Sequence, residues 1–276
     1  TMGDSWLVMA DVDAVQSYLF ASIHLREAAG ASALLVEYDA EVARIAKTLD
    51  PSANVLFAAG GTTLVAFADE TGARGFADTI RAYLAKHAPG VGVSFGGPCS
   101  TKDGFLEARD MAARGLECNK RLGHDPGEDV DCPLALRCEA CGREPALGGA
   151  RVTVGSDKRW LGEACLRKHE ARERGAWLEL LRVSPKWKDV PDNDLRAMLA
   201  SDSSHLAGDE LLGIVVADAD GAGEKLRKIK DLGDYKTFSG ALSASVRTAL
   251  ASAIIAHADP ARPGPLPVDV LYSGGD

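Results

Sequence analysis

Positive charge, cysteine and long apolar runs are all scarce in this 276-residue chain. Lysine and arginine number 31 against 40 aspartates and glutamates, a formal charge of −9. The molecule as a whole therefore offers no field for a polyanion, and any contact with nucleic acid has to rest on a local patch. Six cysteines in a chain of this size do not make a disulfide scaffold, which turns the reading toward metal ligation. No apolar run approaches the roughly 18 to 20 residues needed to span a bilayer. The opening TMGDSWLVMADVD lacks the basic-then-apolar layout of a secretory signal, and a cytoplasmic protein is expected. What is present is a hydrophobic content of 46%, ample for real cores, in a length suited to two domains.

An internal repeat organises the chain. LVMADVDAVQSYLF, residues 7–20, reads as a buried strand ending in Asp11 and Asp13 and passing into a helix. Residues 211–226, LLGIVVADADGAGEKL, repeat that design, with Ala10-Asp11-Val12-Asp13 matching Ala217-Asp218-Ala219-Asp220. In copy one an amphipathic helix over Gly30–Leu49 is closed by Asp50-Pro51, and two strands follow, joined at Gly60-Gly61. In copy two a helix over Gly240–Ala258 is closed by Asp259-Pro260 and followed by VDVLYSGGD. Copy one continues through a helix, 74–87, a strand, 90–97, and a further helical stretch, 104–122; copy two has no such continuation, since the sequence stops at Asp276. That stop, and the Thr1-Met2 opening, lead us to expect a fragment whose second copy is incomplete. The expected division is 1–122, first copy with trailing helices; 123–208, a Gly/Asp/Pro-rich linker, a cysteine module and a basic helical segment; and 209–276, second copy.

Palm-type enzymes join nucleotides by in-line attack of a hydroxyl on a phosphate between two divalent ions, which requires carboxylates to meet. Asp218 at a strand end and Asp276 at a neighbouring hairpin tip would do so if their strands pair, because adjacent strands lie about 4.8 Å apart. Ala219 could lend its carbonyl and Asp220 a further carboxylate to Mg2+ or Mn2+. Gly221, Ala222 and Gly223 open a helix whose free N–H groups suit a triphosphate, with Lys225 near; Ser273, Gly274 and Gly275 form a turn that a nucleotide can approach. Taken singly, an aspartate at a strand end is a helix cap and a glycine pair is a turn former. Only their order together points to nucleotidyl transfer. Copy one has Gly60-Gly61-Thr62-Thr63, with a neutral residue where Asp276 stands, so its aspartates are expected to be structural.

The motifs ADADGAG, 217–223, and SGGD, 273–276, together with DVDAVQSYLF, LREAAGASALL and CEACG, resemble the large subunit of type III CRISPR effector complexes. That resemblance implies an α/β (α+β) chain with two ferredoxin-like palm domains flanking a zinc-binding module. It implies a second palm that converts ATP to cyclic oligoadenylate when guide and target RNA and the other complex subunits are engaged, and a Gly-Gly-Asp-Asp turn that supplies metal ligands, here Asp218 and Asp276. The second aspartate of the turn lies beyond this sequence, and no histidine-aspartate nuclease domain precedes the first palm, so DNA cleavage is not expected and the piece by itself is expected to be weak or inactive. A stand-alone palm cyclase and a non-catalytic nucleotide- or RNA-binding scaffold are the alternatives.

Cys138-x-x-Cys141-Gly has the form of a zinc knuckle, and Cys165 and His169, a turn apart on one helix face, complete the preferred set, with Cys132 in reserve. A closed four-ligand site would be structural. Residues 143–188 hold eleven Lys/Arg against six Asp/Glu, with Trp160, Trp177 and Trp187 interspersed. This island is either an RNA- or partner-binding face or a helix surface balanced by Glu163, Glu170, Glu173 and Glu179.

Overall fold

The computed structural model describes residues 4–22, 24–123, 135–146, 151–154, 157–172, 180–182, 184–191, 194, 221–257 and 270. The first eight elements are β1 (Trp6–Asp13), α1 (Val15–Leu19), α2 (Leu25–Leu49), β2 (Asn54–Ala59), β3 (Thr62–Phe67), α3 (Glu70–His87), β4 (Gly92–Ser100) and α4 (Phe105–Leu122). The strands form one sheet in the order β2-β3-β1-β4, and every neighbouring pair is antiparallel. This mixed α/β arrangement, β-α-β-β-α-β with the first and third strands paired centrally, is the ferredoxin-like order.

Alternation along β1 explains both faces of the sheet. Val8, Ala10 and Val12 point into a core shared with Leu34, Leu35, Tyr38 and Val42 of α2 and Phe76, Ile80 and Leu84 of α3. Leu7 and Met9 point the other way, into a second cluster with Ala108 and Phe105 of α4. Asp11 and Asp13 follow Leu7 and Met9 on that second face by the period of two that strands impose. Phe67, Phe76 and Phe95 pack edge-on or tilted, with ring centroids 5.4 and 6.5 Å apart.

Local chemistry sets the boundaries. Gly60 and Gly61 both hold positive φ, 65° and 85°, the pair of left-handed residues that a tight two-residue hairpin requires. Asp50 ends α2: one carboxylate oxygen accepts from Ser52 N at 2.8 Å and the other from Ala68 N at 2.7 Å, tying the helix end to the end of β3. Asp69 caps α3 by accepting from Gly72 N. α2 begins five residues earlier than the periodicity predicts, because Glu27, polar in the sequence, is buried by a partner from a later helix.

Beyond the sheet come β5 (Arg151–Val154) and β6 (Asp157–Trp160), an antiparallel pair, then α5 (Glu163–Ala171), α6 (Pro185–Lys188), α7 (Ala222–Lys228) and α8 (Leu232–His257). α8 is one continuous helix starting eight residues before the expected Gly240, since Leu232 and Tyr235 gain burial against the first copy's sheet with Leu56 and Leu64. The repeat reappears here as a short helix followed by a long one: α1 and α2 after Asp13, α7 and α8 after Asp220, with Leu25 and Leu232 at the same interval from those aspartates. The expected strands at 211–217 and 268–276 lie outside the described residues, apart from Val270, which packs with Ile254, Leu181 and Trp187. Leu232–Ala256 is also long and apolar enough, by length and composition, to cross a membrane, which the run-length reading missed because the helix is alanine- and serine-rich rather than unbroken.

Candidate functional site: a cysteine cluster and a strand-end acidic pair

The cysteine module is built by two short pieces of chain. Cys138 starts a turn in which Gly142 N donates to Cys138 O at 2.8 Å, Gly142 holds φ 68°, and Arg143 N points at Cys141 Sγ, 3.5 Å away. The turn is fastened to β6 by Glu139, whose N donates to Trp160 O while its carboxylate accepts from Trp160 N. Cys165 arrives on α5. The ligand atoms of Cys138, Cys141, Cys165 and Glu144 all lie within 4.8 Å of one another. Tetrahedral zinc with bonds of about 2.3 Å separates sulfur ligands by roughly 3.8 Å, so this group could hold a metal such as zinc. Hydrogen bonds from Cys138 and Cys165 hold the Cys141 thiol far below its usual range, and the proton shared with Cys138 and Cys141 holds Cys165 above its own. A metal would displace those shared protons, so its affinity falls as pH falls.

His169 is not part of this group. Its Nδ1 lies 3.1 Å from Glu27 Oε1, and both residues are buried. Cys165 and His169 do share a face of α5, as their spacing requires, but that face spans two neighbours: its first turn meets the cysteine knuckle and its second meets α2. Glu144 stands beside the thiols instead. Its carboxylate also accepts from Ala164 N at 3.1 Å and Cys165 N at 3.0 Å, so it closes the start of α5 as well. No spacing rule singles Glu144 out; the only signal was its nearness to the CxxC turn. Cys132 lies outside the described residues.

α5 is in turn locked to the first copy. Burial lowers the Lys168 pKa, and the ammonium donates to Tyr18 O at 2.6 Å and lies 3.7 Å from the Tyr18 ring centroid. Burial works against ionisation of Glu27, and the hydrogen bond with His169, a backbone hydrogen bond and the charges of His169 and His24 together outweigh it, leaving the carboxyl below its usual range. The helices cross so closely that a Cβ on Gly30 would stand 1.6 Å from Lys168 O. The basic island thus has much of its charge spoken for: Lys168 and Arg172 are buried, Arg167 lies between Glu163 and Glu170, and Trp187 is a core side chain with no exposure.

The acidic pair of the first copy lies at the end of β1. Asp11 is the direct cross-strand partner of Thr62. One Asp11 oxygen accepts from Thr62 Oγ1, and the other pairs with Lys120 at the end of α4. Asp13 accepts from Ser94 Oγ at 2.9 Å. Both aspartates therefore have side-chain partners within this copy. Behind the turn, Asp39 of α2 accepts from Gly60 N at 2.8 Å and Gly61 N at 3.1 Å, while burial pushes its pKa up to about 7.

Of the second-copy residues, Gly221 has a left-handed φ of 72° and leads into α7, on which Ala222, Gly223 and an exposed Lys225 lie. Asp218, Ala219, Asp220, Ser273, Gly274, Gly275 and Asp276 lie outside the described residues. The C-terminal end of α7 is held by the first copy. Arg109 of α4, 7% exposed, donates to Leu226 O at 2.8 Å, Arg227 O at 3.1 Å and Ile229 O at 3.4 Å. Nothing in the local sequence of α4 distinguishes Arg109 from a surface arginine.

No protein-family model and no curated protein matches the sequence. Among solved structures the chain is similar to the Csm1–Csm4 cassette of type III CRISPR complexes. The cassette with AMPPNP aligns at 21% identity and a TM-score of 0.36, over 42% of this chain and 19% of that one. The cassette with cA4 aligns at 19% and 0.37, and that with pppApA at 18% and 0.38, each over 54% of this chain and 26% of the other. The chain thus spans between 18% and 26% of the length of these matched chains.

Proposed function

We propose that this chain is a metal-dependent nucleotidyltransferase that converts ATP to cyclic oligoadenylate, as the large subunit of a type III CRISPR effector complex or a relative of it, with chemistry confined to the second copy. One observation carries the reading: in the first copy the strand-end aspartate and the first residue after the glycine turn are direct cross-strand partners, Asp11 and Thr62, in side-chain contact. The repeated motifs put Asp218 at the position of Asp11 and Asp276 at that of Thr62. The same pairing in the second copy would bring two carboxylates together, a donor set of hard oxygens suited to Mg2+ or Mn2+. When bound, such ions supply the charge that eases formation of a 3′-alkoxide and neutralises the departing pyrophosphate.

In this reading Asp218 and Asp276 are the ligands, Ala219 lends its carbonyl and Asp220 supports them. Gly221, Ala222 and Gly223 with Lys225, and Ser273, Gly274 and Gly275, border the nucleotide. Guide and target RNA and further complex subunits are the expected partners, and the cysteine cluster, holding Zn2+, is structural.

The test is incubation of the chain, and of a version extended past Asp276, with radiolabelled ATP and Mg2+ or Mn2+, with and without guide and target RNA. RNA-stimulated cyclic oligoadenylate that is lost in Asp218→Ala is the expected result. Product formed equally without RNA would point to a stand-alone cyclase, and no product from the extended chain under any of these conditions to a scaffold.

A further inference from the structure

Lys120 has no part in the proposed chemistry, yet its ammonium pairs with Asp11, the first-copy counterpart of the carboxylate that the proposed chemistry gives to an ion in the second. It reaches one Asp11 oxygen from the last turn of α4, while the other Asp11 oxygen accepts from Thr62. The pair is sheltered, with 31% of the Lys120 and 17% of the Asp11 side chain exposed. Burial favours loss of the lysine proton, but the hydrogen bond and charge of Asp11, aided by Glu117 and Asp13, outweigh it and hold the ammonium above its usual range. With a neutral threonine at 62, the direct partners of the Asp11 carboxylate are one ammonium and one hydroxyl.

We propose that Lys120 is a built-in cation that takes the place of a divalent ion in the first copy and seals Asp11 against metal. The equivalence of positions rests on the function proposed above; the contact of Lys120 with Asp11 does not. Two changes should then turn the sealed pair into a metal site. Lys120→Met removes the ammonium, and Thr62→Asp sets a second carboxylate directly across from Asp11, with Asp13 nearby on the same face of β1.

Mn2+ binding, followed by the electron paramagnetic resonance of the free ion, tests this in chains that all carry Asp218→Ala, so that ions held by Asp218 drop out of the count. In the parent, Asp11→Asn should leave Mn2+ uptake unchanged. Lys120→Met with Thr62→Asp should gain a site at least about tenfold tighter than any residual binding, lost again on adding Asp11→Asn. A second measurement needs no redesign of the site. Acylation of Lys120 in the unsubstituted chain, read by peptide mass against exposed Lys102, should be slow, unaffected by millimolar Mn2+, and faster in Asp11→Asn. Mn2+ that speeds Lys120 acylation would overturn the proposal, as would a double variant with native circular dichroism and no added Mn2+ site. The reading of the second copy is judged separately, by the difference in Mn2+ uptake between chains with and without Asp218→Ala.

Discussion

Asp39 sits under two opposed demands. Its carboxylate closes the Gly60-Gly61 turn by accepting two backbone N–H groups, which favours the charged form, yet burial disfavours that form more strongly and carries the pKa to about 7. A carboxyl whose folded pKa is raised holds its proton in the native state over a range in which the unfolded chain has lost it. Stability then falls as pH rises from about 4, where both states are protonated, to about 7, above which both are ionised. Denaturant unfolding at about pH 5 and pH 8 should show this decline, and Asp39→Asn should flatten it. An unchanged slope in the variant would assign the pH dependence elsewhere. Asp11 is held by side chains instead: one oxygen pairs with Lys120 and the other accepts from Thr62 Oγ1.

Two helices act as connectors more than as core. α5 presents Cys165 to the cysteine cluster and, one turn on, His169 and Lys168 to α2 and α1. α4 carries Lys120 to the first copy's aspartate and Arg109 to the last carbonyls of α7. A guanidinium at a helix C-terminus meets the negative end of the dipole and the orphan carbonyls together. Arg109→Met removes charge-assisted hydrogen bonds to these partly buried carbonyls, at a cost of about 2–3 kcal/mol. Hydrogen exchange of the Leu226–Ile229 amides should therefore quicken by roughly 30- to 150-fold. Arg109→Lys should restore little, because one ammonium cannot span the carbonyls that the planar fork reaches. Exchange confined to wild-type rates in Arg109→Met would show that Phe105, Tyr235 and Leu226 hold α7 without the arginine.

Across the molecule, the cysteine cluster and the first copy's core meet through α5, so a metal held there would act further than the knuckle itself. One zinc per chain is expected by elemental analysis. Cys138→Ser or Cys165→Ser should abolish it, whereas His169→Ala should keep the metal and instead loosen α5 from α2. Chelation should lower the melting temperature, since a loss of about 2–3 kcal/mol corresponds to roughly 3–6 °C in a chain of this size. A melting curve that does not move on removal of bound zinc would mean that Glu144 and the α2 contacts hold α5 by themselves. The second copy's helices take part in the same coupling: Ser239 donates to Leu56 O at 2.9 Å and Lys236 to Asn54 Oδ1 at 2.6 Å, both on β2 of the first copy.

What the sequence determined by itself was local or periodic. The alternation of β1, the glycine pair of the β2–β3 hairpin, the Asp50-Pro51 stop and the CxxC turn each follow from neighbours a few residues apart, and each stands in the structure where the pattern put it. The matched Asp-x-Asp motifs likewise announced the short-helix, long-helix succession seen twice. Only the tertiary structure decided which long-range partner each polar side chain takes. Glu144 stands with the thiols while His169 turns to Glu27, Lys120 closes on Asp11, and Arg109 captures α7 across more than a hundred residues of chain. The physical reason is that a helix face fixes which side chains travel together but not what they meet. Cys165 and His169 keep their spacing on α5 and still end in different environments, because the packing of α5 against α2 sets its own geometry independently of the knuckle.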